Sequence, residues 1–71
     1  MDKKIIDLVK KGFEVSIRKE INMYRIQLRY TLKKVYKIEQ YLPIHHFNSS
    51  DVTSCLTYCE GQINAEILKT K

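Results

Sequence analysis

The spacing of apolar residues along the chain changes twice, from helical to alternating and back to helical. Ile5, Leu8 and Val9 recur at helical spacing with Ile6 beside them, and Asp2 is placed to cap a first helix of about ten residues. Gly12 closes that helix, since glycine takes the left-handed conformation that ends one, and Phe13 just beyond it is positioned to pack back on Leu8. From Phe13 the period falls to two. Phe13, Val15 and Ile17 alternate with Glu14, Ser16 and Arg18, which predicts a half-buried strand.

A second strand follows in Tyr24, Ile26, Leu28 and Tyr30, alternating with Arg25, Gln27 and Arg29. The short Glu20-Ile21-Asn22-Met23 link favours an antiparallel hairpin, with its register open because no glycine follows Asn22. Residues 33–42 read as a third strand, in which Tyr36, Ile38 and Leu42 share a face with the polar Gln40. The competing reading is a helix, which Leu32, Val35, Tyr36 and Leu42 fit loosely, and Pro43 ends the element in either case. After a loop from Ile44 to Asn48, Asn48 and Asp51 resemble a capping box, with Phe47 and Val52 at the positions of a hydrophobic staple. Val52, Cys55, Leu56, Cys59, Ile63 and Ile67 then form one apolar helical stripe, while Thr53, Glu60, Asn64 and Lys71 stay polar. Gly61, if it faces outward, leaves room for the close approach of a partner.

The predicted fold is therefore α+β, ordered α-β-β-β-α. A three-stranded antiparallel sheet is packed by the C-terminal helix and a short N-terminal helix in a single domain spanning residues 1–71. A chain of 71 residues has room for one compact core. Such a core rarely supplies more than about 3–5 kcal/mol without further support, which makes a homodimer a live expectation. The 44% hydrophobic and 30% charged shares are those of a folded globular domain. No apolar run approaches the length of a membrane span, and Met1-Asp2-Lys3-Lys4-Ile5-Ile6 lacks the uncharged core of a secretory signal. The expectation is a cytoplasmic protein without a membrane partner.

Charge is unevenly spread and points to the sheet. Region 13–42 holds Arg18, Lys19, Arg25, Arg29, Lys33, Lys34 and Lys37 against Glu14, Glu20 and Glu39, a balance of +4 within a whole-chain charge of +5. Alternation puts Arg18, Arg25, Gln27 and Arg29 on the open face, with Lys37 added from the third strand, as the candidate binding residues. Guanidinium groups suit phosphate and carboxylate alike, so such a face could meet nucleic acid or an acidic protein surface, or simply be solvated. Single-stranded nucleic acid also calls for exposed aromatics. Most of the tyrosines alternate inward, leaving Tyr41, out of phase with Ile38 and Leu42, and Tyr58, off the helical stripe, as candidate interface aromatics.

His45, His46, Cys55 and Cys59 form the one cluster of metal-ligating types. Their spacing matches no familiar zinc finger, and both cysteines fall on the apolar stripe, so the expectation is free thiols in a core that folds without metal or other cofactor. There is no nucleophile elbow and no phosphate-binding glycine loop in a chain with two glycines. No catalytic residue is predicted.

Three segments carry a resemblance. Lys11-Gly12-Phe13-Glu14-Val15-Ser16-Ile17, Tyr41-Leu42-Pro43-Ile44, and Asp51-Val52 leading to Cys55-Leu56 are similar to small proteins encoded by phages and prophages of Gram-positive bacteria. The resemblance implies a non-catalytic protein that contacts one host protein stoichiometrically in the host cytoplasm, as inhibitors of CRISPR nucleases and other anti-defence factors do. It assigns no functional residue. Anti-CRISPR proteins that mimic DNA are acidic and this chain is basic, so inhibition of a nuclease would rest on a shape-matched interface or on contact with guide nucleic acid. The alternatives are a basic nucleic-acid-binding module using the open sheet face, and a self-associating assembly protein.

Overall fold

The computed structural model describes residues 3–69. Within them run α1 (Lys3–Lys10), β1 (Glu14–Lys19), β2 (Met23–Thr31), β3 (Val35–Pro43), a 3-10 turn at Ile44–His46 and α2 (Ser49–Lys69). This is the α+β order that the alternation predicts. The expected Asp2 cap lies outside the described residues, as does Lys71.

α1 ends through a Schellman arrangement. Gly12 takes a φ of 97°, the N–H of Phe13 donates to the Leu8 carbonyl and that of Gly12 to the Val9 carbonyl, each at 3.0 Å. Two carbonyls at the end of the helix are thereby satisfied. The chain turns so that Leu8 and Phe13 both enter the core.

β1, β2 and β3 form one antiparallel sheet in sequence order. Across the first hairpin Val15 faces Leu28, Ile17 faces Ile26 and Arg18 faces Arg25. The Glu20 N–H closes the Ile21-Asn22 tip on the Met23 carbonyl at 2.8 Å. Among the described residues only Gly12 has a positive φ, so this tip is not the type I′ turn of the commonest two-residue hairpins. The third element is a strand: Tyr36 faces Tyr30, Ile38 faces Leu28, Gln40 faces Ile26 and Leu42 faces Tyr24. It starts at Val35. Lys33 and Lys34 belong to the Leu32–Lys34 turn, where the Leu32 N–H reaches the Lys34 carbonyl at 3.0 Å. A three-residue turn with negative φ throughout needs no Gly, Pro or Asn to mark it.

Asn48 caps α2, its Oδ1 accepting the Asp51 N–H at 2.8 Å while its carbonyl accepts the first helical bond from Val52. The reciprocal half of the predicted capping box takes another form. Asp51 receives the Asn48 side-chain amide at 2.9 Å, because an aspartate is shorter than the usual glutamate. Phe47, expected to staple the helix, stacks instead on Tyr24 with ring centroids 3.8 Å apart.

α2 covers β2 and β3, and α1 lies against β1 and α2, so both helices occupy one face of the sheet. Leu8, Ile26, Leu28, Leu56 and Cys59 are fully buried between the layers, joined by Phe13, Tyr36, Val52 and Ile63. Burying each large aliphatic side chain contributes about 1.5–3 kcal/mol. Among the described residues, no element covers the opposite face of the sheet.

Candidate interaction face

The bare face consists of three cross-strand rows. Glu14, Arg29 and Lys37 form the first; Ser16, Gln27 and Glu39 the second; Arg18, Arg25 and Tyr41 the third. The structure thus gathers Arg18, Arg25, Gln27, Arg29 and Lys37 on one surface, and places Tyr41 beside them. Tyr58 lies elsewhere, half-exposed on α2.

This face is less basic than the charge of the strand region suggests. Of the seven cations in that region, Lys33 and Lys34 sit in the turn and Lys19 follows the phase of Val15 and Ile17 at the end of β1. The four that remain are interleaved with Glu14 and Glu39, and Glu20 adds a third carboxylate at the neck of the hairpin. Glu14 Oε2 pairs with Arg29 Nε at 3.3 Å, and Glu20 pairs with Arg25 Nη2. Tyr41 donates its hydroxyl to Glu39 at 3.0 Å, and that carboxylate pushes the phenol pKa up. Sequence reasoning counted these acids in the regional balance without placing them on the face, although strand parity already put Glu14 in phase with Arg18 and Glu39 in phase with Lys37. What parity could not give was the register that sets Glu14 against Arg29.

Two cations of this face keep no ion pair among the described residues. Arg18 stands directly opposite Arg25, a like-charge contact that is unfavourable unless another group offsets it, and Glu20 at the neck of the hairpin is taken by Arg25. Lys37 stands opposite Arg29 in the same way, with Glu14 engaged by Arg29. Arg25 carries a further unmet demand, because its Nε is buried without a hydrogen-bond partner.

The cysteines and histidines do not come together. Cys59 is fully buried and its thiol is pushed up to about 11, chiefly by burial and further by the neighbouring Cys55. Cys55 is partly buried and also raised, by burial first and then by Asp51. His45 and His46 tilt against each other on the surface, His46 Nδ1 lying 3.8 Å from Asp51. Among the described residues no three His, Cys, Asp or Glu side chains converge as metal ligands, and no helix is long and apolar enough to cross a membrane. No protein-family model, no curated protein and no solved structure matches the chain.

Proposed function

We propose that this chain is a non-catalytic binding protein that works by direct contact with a protein partner through the open face of its sheet. The observation that carries the reading is the third row, where Arg18 and Arg25 face each other beside the exposed ring of Tyr41 while the rest of the surface is interrupted by Glu14, Glu20 and Glu39. A phosphate backbone is best held by an unbroken run of cations, and carboxylates between the arginines work against it. A protein surface can meet alternating charge with alternating charge. A carboxylate reaching Arg18 would relieve the like-charge contact, and an apolar group against Tyr41 would supply the desolvated centre of an interface. The resemblance to phage-encoded proteins makes the partner a host protein of defence or replication, contacted in the host cytoplasm.

Affinity capture from host lysate with matched variants tests this. Wild type should retain one partner in stoichiometric amount. R18E/Y41A should lose it, and K10E, a change on α1 away from the face, should keep it. Equal retention by all three, or no stoichiometric partner at all, would contradict the reading.

A second reading is nucleic-acid binding by Arg18 and Lys37 together with Lys33 in the adjoining turn, and the absence of an intrachain ion pair on these three cations among the described residues favours it.

A further inference from the structure

β3 is the longest free edge of the sheet. It runs nine residues against six in β1, and among the described residues its only sheet neighbour is β2. A groove of about 390 Å³ follows that edge, walled by Tyr36, Lys37 and Ile38 on the strand and by Gln62, Ile63 and Glu66 on α2. Val35 and Tyr41 stand on the outer surface of the strand, 54% and 50% exposed. Lys37 and Glu39 lie between them. Neither has an oppositely charged partner among the described residues: Lys37 faces Arg29, and Glu39 faces Gln27 and accepts the Tyr41 hydroxyl.

We infer that β3 pairs antiparallel with β3 of a second copy of this chain, in the register that sets Ile38 opposite Ile38, joining the two sheets into one of six strands. A twofold axis normal to the sheet keeps the helices of both copies on the same side, so opposed residues must share a face and the sum of their numbers must be even. Four such registers centre on the middle of the strand. Centring on Lys37 opposes two lysines and centring on Glu39 opposes two glutamates, both unfavourable. Centring on Gln40 sets Lys37 against Pro43 and opposes two glutamines on the helix-covered side.

Centring on Ile38 sets Lys37 against Glu39 of the second copy twice over, and Val35 against its Tyr41 twice over. On the inner side it sets Ile38 against Ile38 and Tyr36 against Gln40. Each unpartnered charge then meets its opposite, and each half-exposed apolar side chain on the outer surface meets another. Backbone N–H and C=O groups along the open edge gain partners at the same time. The groove between β3 and α2 would receive the inner-face side chains of the second copy, with Gln62 and Glu66 at its rim. Because the contact uses the edge, Arg18 and Arg25 stay free, while Tyr41 and Lys37 are shared between this contact and the face proposed above.

Sedimentation equilibrium over a concentration series, with circular dichroism to confirm folding, tests the register by charge exchange. Wild type is expected to reach twice the 8.5 kDa chain mass. K37E opposes four carboxylates and E39K four ammonium groups across the axis, so each alone should weaken dimerisation by roughly tenfold or more. An equimolar mixture of the two should form a heterodimer, and K37E/E39K should recover the wild-type affinity. A wild type that stays monomeric at millimolar concentration would overturn the inference. So would a dimer that neither reversal weakens, which would place the contact on another surface such as β1.

Discussion

Glu60 on α2 meets Lys4 on α1 at 2.7 Å across 56 residues of sequence, and its other carboxylate oxygen meets Lys11 at 3.0 Å. Lys11 in turn lies 3.2 Å from Asp7 one turn earlier in α1. The Glu60 side chain is largely shielded from water, so this fork, and not the apolar packing of α1 alone, holds the short helix against the long one.

The fork should register in acid. Hydrogen bonding from Lys4 first, then from Lys11, holds the Glu60 carboxyl below the usual carboxylate range against the opposing effect of burial. A depressed folded value means that the stabilisation is fully present above the unfolded glutamate value, near 4.3, and is lost as pH falls through the folded one. E60Q should therefore cost about 1–2 kcal/mol at neutral pH. It should also flatten the acid limb of a stability-against-pH curve measured by urea titration. An unchanged midpoint at neutral pH would show that the fork does not stabilise the helix pair.

Gly12 carries the sharpest backbone requirement. Its φ of 97° is strained for any residue with a Cβ, and a Cβ there would also meet the Tyr30 ring at 3.4 Å. G12A should destabilise by about 1–2 kcal/mol in chemical denaturation. A gain in stability, as expected for Gly to Ala inside a helix, would contradict the Schellman geometry.

Removing the cap of α2 should cost about as much. N48A deletes the bond from the Asp51 N–H and the tether to the Asp51 carboxylate, for an expected loss of about 1 kcal/mol. Thermal melts of N48A and N48S separate the two contributions, since serine can keep the first and not the second.

The two thiols should differ in reactivity. The thiolate is the reactive form, and Cys59 is both fully buried and raised to about 11, whereas Cys55 is partly accessible. In native protein near pH 8 a thiol reagent such as Ellman's should modify C59S, which keeps Cys55, well before C55S, which keeps Cys59. Equal native rates would show that Cys59 is not held in the core.

The elements were legible where side-chain period and backbone demand agree. Leu8, Gly12 and Phe13 announced the end of α1, and the two-residue alternation from Phe13 to Leu42 announced the strands, because parity alone decides which face a strand residue takes. Three features were not legible. The Leu32–Lys34 turn uses no special residue, so its position depended on the ladder between β2 and β3. The neutralisation of Arg25 and Arg29 depended on register, which Ile21-Asn22 does not encode, so counting charges by region overstated the positive character of the face. The fork at Glu60 was hidden for a related reason: a lone glutamate on the polar side of a helical stripe gives no sign of the lysines that a second helix brings to it.

Fluorescence anisotropy of labelled DNA and RNA across a salt series separates a face that meets protein from one that holds phosphates. With carboxylates interleaved among the arginines, no binding tighter than the weak, non-specific range is expected even at low salt. Micromolar or tighter binding that weakens steeply with salt, and that R18E or R25E/R29E abolishes, would contradict the protein-contact reading by showing that the open face neutralises phosphates.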